Sequence, residues 1–309
     1  MKKILLLTLL LTVFLSACTL DRSEDTDENY RSGSQGLYMQ FMPNMPPSQI
    51  YDDEEFSTMI EIHNKGAHDL ETGSNSQVYL SGFDKNIITG VNEGKGLMDL
   101  EGKSMYNNQG EFATVEFDGS IQSLDARNID KYDFNLVATG CYSYKTIAEP
   151  TVCIDPDPYS TTAKNKACNA KVNPSVGSQG APIAVSSIEM EPLKGRTKFK
   201  IHVDNVGGGT VFRQGYSHLT SCSPYSPDGL QYKDINYVTV TAVETANSDI
   251  RGTCRPLDNG ELKLIDGHGY FVCEITGLAG PAYTTPLRIE LEYGYRQEIS
   301  RPVTIIATP

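Results

Sequence analysis

The stretch IEIHNKG at residues 60–66 decides the fold of this chain, because the stretch IHVDNVG at residues 201–207 repeats its pattern. In both, apolar and polar residues alternate before an asparagine and a glycine. This is the period of a half-buried β-strand that ends in a turn. Asparagine and glycine tolerate positive φ better than other residues, so we expect the turn after each strand to use a left-handed backbone conformation.

The ends of the two halves repeat as well. Tyr142 and Tyr144 precede a lysine in the first half, as Tyr293 and Tyr295 precede an arginine in the second. Internal similarity of this kind is typical of two copies of one domain. The repeat predicts two domains and the linker between them, at residues 37–158, 182–309 and 159–181. These tyrosines alternate with other residues, as side chains on one face of a strand do, so we expect them to fill the core. The alternative is that they are exposed and contact a partner at an interface.

Alternation with a period of two runs through three longer segments, at residues 56–63, 197–204 and 287–296. One face of such a strand is buried and the other is wet. Glycine, asparagine, aspartate and proline interrupt the chain at short intervals, as in proteins made of many short strands. We therefore expect an all-β fold with two tandem Ig-like β-sandwich domains.

A strand of the form I-x-[IV]-x-N-x-G, early in a domain of this size, resembles the Ig-like, CARDB-like modules of prokaryotic cell surfaces. The whole chain is also similar to uncharacterised secreted lipoproteins of small-genome archaea. Four phrases carry this second resemblance: FMPNMPPSQIY (41–51), VCIDPDPYST (152–161), NVGGGTVF (205–212) and AYTTPLRIELEYGYR (282–296). The first resemblance implies an Ig-like fold in each half, and neither implies a ligand.

The N-terminal sequence MKKILLLTLLLTVFLSAC has the pattern of a secretory signal. Its apolar run is shorter than the roughly 20 residues of a membrane-spanning helix, which disfavours that alternative. The final Leu-Ser-Ala-Cys resembles the lipobox of prokaryotic lipoproteins, which implies cleavage of residues 1–17 and lipidation of Cys18. Residues 18–36 are acidic and poor in apolar side chains, so we expect a disordered tether. In lipoproteins that stay at the inner membrane of bacteria with two membranes, an aspartate follows the lipidated cysteine. This chain has Thr19 there, so the resemblance implies a location at the outer membrane or cell surface.

The protein is distinctly acidic. Its formal net charge is -13, and removal of residues 1–17 takes away Lys2 and Lys3 and no acid, which gives -15. Lysines and arginines are scattered along the chain. This distribution argues against binding to nucleic acid or to an anionic membrane surface. The lipid on Cys18 is therefore the predicted membrane contact.

Six cysteines remain once Cys18 is set aside, an even number that predicts three disulfides in an oxidising compartment. We expect Cys141 and Cys153 to face each other across a terminal hairpin, and Cys254 and Cys273 to flank a turn and a strand. Elimination then leaves Cys168 with Cys222. Fifteen pairings are possible in principle. A metal site is the alternative, but the sequence has no CxxC pair.

No catalytic motif or cofactor site is recognisable in the sequence, and no metal site is predicted. The triplet Asp118-Gly119-Ser120 resembles that of aspartic proteases, but a hairpin turn is the simpler interpretation. His63 and His68 flank a turn and lack a third metal ligand. Whether Asp155 and Asp157, held between prolines, bind calcium or form a stiff acidic linker stays open.

These features together predict a lipid-anchored cell-envelope protein with a structural or adhesive role and no catalysis. Its partner is a protein or another envelope component that the sequence does not name. The alternative is a non-catalytic subunit of an extracellular filament or surface assembly, in which exposed strand edges pair between chains.

Overall fold

The computed structural model describes residues 30–160 and 166–308. The predicted signal peptide, Cys18 and the tether up to residue 29 lie outside the described residues. Within the described ranges the chain consists mainly of β-strands, with one six-residue helix and three short 3-10 helices. The predicted all-β sandwich fold is confirmed.

The first half of the chain contains nine strands. They are Leu37–Phe41 (β1), Gln49–Tyr51 (β2), Glu55–Asn64 (β3), Gln77–Ser81 (β4), Ile88–Thr89 (β5), Gly94–Gly96 (β6), Phe112–Ile121 (β7), Lys131–Ala148 (β8) and Thr151–Ile154 (β9). The 3-10 helices are Thr72–Ser74, Asp125–Arg127 and, in the second half, Arg251–Thr253.

The second half contains eight strands and the helix. They are Ile183–Leu193 (β10), Arg196–Asn205 (β11), Thr210–Phe212 (β12), Tyr216–Ser221 (α1), Tyr237–Thr245 (β13), Ser248–Asp249 (β14), Glu261–Lys263 (β15), His268–Thr276 (β16) and Tyr283–Ile306 (β17).

The described strands form three sheets. The outer sheet of the first half has the order β1-β3-β7-β5, and the outer sheet of the second half has the order β10-β11-β16. The third sheet has ten strands and takes strands from both halves, in the order β14-β13-β17-β8-β4-β6 with β2, β9, β12 and β15 at its margins. We call it the shared sheet. Each half is thus a sandwich of one outer sheet and part of the shared sheet.

The two halves meet where β8 pairs with β17. All 18 residues of β8 take part in this antiparallel ladder, from Lys131 opposite Ile306 to Ala148 opposite Ile289. Tyr142 lies opposite Tyr295 and Tyr144 opposite Tyr293. The middle residues of the two Tyr-x-Tyr motifs, Ser143 and Gly294, therefore face each other. The repeat predicts two copies of one fold but not this pairing, which makes the halves neighbours around a pseudo-twofold axis.

Four tyrosines flank the pair Ser143 and Gly294 in this ladder, on the face of the shared sheet that the outer sheets cover. Each is at most 2% exposed, and their rings contact one another; they are Tyr142, Tyr144, Tyr293 and Tyr295. The backbone N–H of Leu37 donates to the hydroxyl of Tyr142, as the N–H of Ile183 donates to that of Tyr293. The structure therefore buries these repeated tyrosines in the core.

The repeated asparagines act through their side chains. The asparagine and the glycine of neither motif have positive φ, so the expectation that they form a left-handed turn is wrong; in the second half the next residue, Gly208, has a φ of 76°. The hydroxyl of Tyr144 donates to Oδ1 of Asn64 at 3.1 Å, and that of Tyr295 donates to Oδ1 of Asn205 at 3.0 Å. The side-chain amides in turn donate to backbone carbonyls of the loops that follow. Asparagine is needed because it supplies a donor and an acceptor to buried polar groups.

The glycine after Asn64 leaves room for the tyrosine. A Cβ on Gly66 would overlap the hydroxyl of Tyr144 and lie 2.7 and 2.8 Å from the carbonyl oxygens of Gly180 and Gln35. Backbone oxygens cannot move aside cheaply. The repeated glycine is thus a packing requirement.

We expect Gly66→Ala to lower the free energy of unfolding by about 1 to 3 kcal/mol, as overpacked core sites do. Gly73→Ala is the matched control, because a Cβ there meets no atom of the described residues within 4 Å. Urea unfolding followed by circular dichroism measures both. Equal stability of the two variants would contradict the packing role of Gly66.

The C-terminal end of β17 holds the first half as well. The guanidinium of Arg301 donates to three backbone carbonyls of the first half, those of Phe41, Met42 and Pro46. Nearby, the buried carboxylate of Asp52 accepts hydrogen bonds from Thr308 and from the backbone of Leu124, which lower its pKa. The two halves therefore interlock beyond the central ladder.

The described part of the predicted linker is packed against the protein. Ala170 is buried, and the backbone carbonyl of Gly180 accepts a hydrogen bond from Ala67 of the first half. The buried side chain of Gln179 accepts a hydrogen bond from the backbone N–H of Val185. This segment therefore fixes the halves instead of allowing a hinge.

Candidate functional site

The disulfides show where an additional element is attached to the shared sheet. Cys254 and Cys273 are joined, as predicted. The pairings Cys141–Cys153 and Cys168–Cys222 are wrong, because the structure joins Cys141 to Cys222 and Cys153 to Cys168. The error arises from the assumed hairpin: β9 pairs with β17, which places Cys153 opposite Thr284 and away from Cys141.

The disulfide between Cys141 and Cys222 lies on the face of the shared sheet opposite the four tyrosines. We call this the second face. A segment of the second half, residues 213–236, crosses it and carries α1. The segment and the sheet enclose a small core of Tyr79, Cys141, Phe212, Leu219 and Cys222. A Cβ on Gly294 would overlap the ring of Phe212, so this glycine lets the covering layer approach the pseudo-twofold axis.

A cleft of about 390 Å³ opens beside this core, between β4 and β6 of the first half and the segment after β12 of the second. Three tyrosines form its aromatic part: Tyr79, Tyr216 and Tyr225. Asn75, Gln77, Glu93, Thr220 and Ser223 contribute its amide, carboxylate and hydroxyl groups. We call it the inter-half cleft. Its volume falls within the range of about 300 to 1,000 Å³ that is typical of small-ligand sites, which favour interfaces between domains.

Tyr79 forms the floor of the cleft. It lies opposite Gly94 in the ladder of β4 and β6, where a larger residue would collide with its ring. Its hydroxyl forms a hydrogen bond with the side chain of Ser223, and burial raises its pKa. The floor therefore joins the two halves through a phenol that stays protonated at neutral pH.

The wall formed by Tyr225 is fixed by charge and by a hydrogen bond. Its hydroxyl donates to the backbone carbonyl of Leu80, and burial raises its pKa. The ammonium of Lys85 lies 3.9 Å from the centre of its ring and also forms an ion pair with Glu93. The ammonium beside Tyr225 is therefore already neutralised by a carboxylate.

Tyr216 is the exposed member of the three. Its side chain is 69% exposed at the start of α1, and Thr220 donates a hydrogen bond to its backbone carbonyl. A large aromatic ring held at the rim of a polar cleft is available for contact with a ligand.

The aspartates of the open calcium hypothesis have a protein cation as their partner. The ammonium of Lys166 lies 2.5 Å from Oδ2 of Asp155 and donates to the backbone carbonyl of Asp157. The other carboxylate oxygen of Asp155 accepts the backbone N–H of Asp157. Lysine therefore supplies the charge that a bound cation would bring, and the arrangement fits a packed acidic segment.

The remaining candidates do not come together in a site. Asp118, Gly119 and Ser120 belong to strand β7, so the expected hairpin turn there is wrong. His63 contacts Glu61, whereas the ring of His68 packs edge-on against Tyr144. Burial lowers the pKa of His68.

Two further features are absent from residues 30–160 and 166–308. This part of the chain has no group of three or more histidine, cysteine, aspartate or glutamate side chains placed to hold a metal ion. It also has no helix of the length and apolar character that a membrane crossing requires.

The inter-half cleft has no signature in the sequence. Tyr225 is one of 17 tyrosines and belongs to no motif. Gln77 and Tyr216 have no local motif, because they belong to different halves and meet only through the disulfide-linked segment.

No protein-family model and no curated protein sequence matches the chain. Among solved structures, the crystal structure of the Serine-rich Repeat Adhesion Glycoprotein (Srr1) from Streptococcus agalactiae is 12% identical over 87% of this chain and 98% of that chain. Its TM-score is 0.17, a level of similarity that supports no inference about fold or function.

Proposed function

We propose that the protein is a lipid-anchored cell-envelope protein with two Ig-like, CARDB-like sandwiches, which binds another surface component through the inter-half cleft. The carrying observation is the cleft itself, where an exposed Tyr216 and several polar side chains lie on a disulfide-linked support. The role is adhesive and not catalytic in this proposal. Three disulfides are typical of an extracytoplasmic location, which fits it.

The shared sheet supports a binding role because it makes the site rigid. β8 and β17 pair along their whole common length, and Arg301 and Asp52 close the remaining contact between the halves. A preformed site loses little conformational entropy when a ligand binds. Beads coated with the protein should therefore adhere to cells of the organism that produces it. Beads coated with the reduced and alkylated protein should adhere less. Equal adhesion of the two bead types would contradict the proposal.

The lipid anchor has its own test. We expect Cys18→Ser to move the protein from the membrane pellet to the soluble fraction and to abolish its lipid label. A single acyl modification gives weak membrane binding, so the two chains of a diacylglycerol are needed for stable anchoring. Detergent-free fractionation and metabolic labelling with a fatty acid measure this. Unchanged membrane association together with an intact N-terminus would identify the segment as a helix anchor instead.

A second candidate function is assembly into a filament. β7 pairs with β5 at only two residues, so its residues 112–118 form an edge on that side among the described strands. Phe112 on this edge is 63% exposed. Open edges can add strands from another chain. Sedimentation of the detergent-solubilised protein separates the candidates, because a mass that grows with concentration favours assembly and a strict monomer favours the adhesive role.

A further inference from the structure

We infer that the inter-half cleft binds a neutral saccharide. The inference rests on the proposed binding function and names the chemical class of its ligand. It follows from the aromatic surface, the polar groups and the charge of the cleft.

The aromatic surface suits a sugar ring. One side of a pyranose presents C–H groups, and these pack favourably on the electron-rich face of an aromatic ring. Tyr216 offers such a ring at the rim, where it is exposed to solvent, while Tyr79 is almost fully buried at the floor. The apolar face of a flat ligand can therefore stack on Tyr216 at the rim. At the floor, buried Tyr79 leaves room only for a short polar group of the ligand.

The polar groups suit hydroxyls that both donate and accept. A side-chain amide has two donors and an acceptor on one planar group, and a hydroxyl has one donor and two lone pairs. Asn75 and Gln77 provide two amides in the cleft lining, and Thr220 and Ser223 add hydroxyl groups. The Thr220 hydroxyl donates to the carbonyl of Tyr216 and the Ser223 hydroxyl is hydrogen-bonded to Tyr79, so the amides are the main donors for a ligand and Thr220 offers a lone pair. Among the described residues, no side chain or backbone group forms a hydrogen bond with the amide of Gln77, which leaves it available to a ligand.

The charge of the cleft selects against anions. The one carboxylate in its lining, Glu93, is compensated by Lys85, whose ammonium also packs on Tyr225. Among the described residues that line the cleft there is no lysine or arginine, and the protein as a whole is acidic. Sialylated, sulfated or phosphorylated ligands would therefore meet no compensating charge. A neutral saccharide needs none.

The support of the cleft is preformed. Leu219 and Cys222 anchor α1 to the sheet, and Thr220 and Ser223 follow directly from these anchors. Tyr225 is fixed by its hydrogen bond to Leu80. A site of this kind presents its hydrogen-bonding groups at defined positions before the ligand arrives, which lowers the entropic cost of binding.

The test uses the detergent-purified full chain on an array of neutral di- to tetrasaccharides, with sialylated and sulfated glycans and random peptides on the same array. We expect binding to a subset of the neutral glycans. Tyr216→Ala should weaken it by about tenfold or more, the size of effect that a central aromatic contact produces. Gln77→Ala should weaken it as well. Tyr232→Ala is the matched control, because Tyr232 is 76% exposed on the same segment but does not line the cleft.

Each other outcome overturns the inference. Neutral-glycan binding that Tyr216→Ala leaves unchanged places the site elsewhere. Preferential binding of acidic glycans or peptides identifies a different ligand class. If no array ligand binds while bead adhesion persists and depends on Tyr216, the ligand class is wrong and the proposed function stands. If bead adhesion itself is absent, the proposed function fails.

Discussion

Replacing Cys141 and Cys222 together with serine is expected to lower the free energy of unfolding by about 4.5 kcal/mol. The two cysteines are 81 residues apart in sequence, and closing a long loop removes much conformational entropy from the unfolded chain. The disulfide also joins the halves, since Cys141 belongs to β8 and Cys222 follows α1 of the second half. Both are buried, so the loss is not offset by solvation of the new side chains.

The disulfide between Cys153 and Cys168 provides the comparison. Its cysteines are 15 residues apart, for which the same entropy argument gives about 3 kcal/mol. The double serine variant at Cys153 and Cys168 should therefore be the more stable of the two. Guanidinium unfolding followed by far-ultraviolet circular dichroism is the measurement, because the chain has no tryptophan to report on folding. The reverse order of stability would contradict the assigned role of Cys141 and Cys222.

Peptide mapping without reduction checks the connectivity itself. We expect one cross-linked peptide pair to contain Cys141 and Cys222 and no free thiol among the six cysteines of the sandwiches. The same double variant should reduce binding at the inter-half cleft, since it releases the segment that carries Tyr216 and Ser223. A variant that loses stability but binds as before would show that the cleft does not depend on this attachment.

The sequence was most informative where the chemistry is local and repeated. The alternating segments predicted the strands, and the matching asparagines and tyrosines marked positions that the structure joins by hydrogen bonds of 3.1 and 3.0 Å. No sequence pattern indicated that β8 pairs with β17. A period of two reports which face of a strand is buried, and it is the same whether the strand's edge is open or paired with another copy.

The inter-half cleft could not be predicted from the sequence for a related reason. Gln77 lies on a strand of the first half and Tyr216 on a helix of the second. They share a surface because the disulfide at Cys222 and the hydrogen bond from Tyr225 to Leu80 hold the segment against the sheet. The expected hairpin between Cys141 and Cys153 assumed that their strands are neighbours in one sheet. Cys141 does lie on the second face, but β9 forms its ladder with β17, which no residue pattern in β9 reveals.

Raising the pH from 10 to 11 is expected to lower the free energy of unfolding steeply, because the four tyrosines at the centre of the shared sheet resist ionisation. Burial raises the pKa values of Tyr142, Tyr144 and Tyr293 well above the ordinary value of 10, and that of Tyr295 to about 12. The folded state therefore keeps protons that the unfolded chain has lost. Their stabilising effect is complete below pH 10 and disappears as the pH rises through the native pKa values.

The magnitude follows from proton linkage. For an unfolded pKa near 10, each tyrosine that stays protonated in the folded state lowers the free energy of unfolding by about 1.4 kcal/mol at pH 11, of which about 1 kcal/mol is lost between pH 10 and 11. Four of them therefore lower it by about 4 kcal/mol over this interval. Urea unfolding at a series of pH values measures the slope of stability against pH, which reports the number of protons released. Tyr142→Phe should lower this slope by about one proton, because it removes one buried phenol and one hydrogen bond. Tyr106→Phe, at a side chain 93% exposed, should leave the slope unchanged. A slope that is the same in all three proteins would show that the central tyrosines ionise in the folded state, which is incompatible with the packed ladder between the halves.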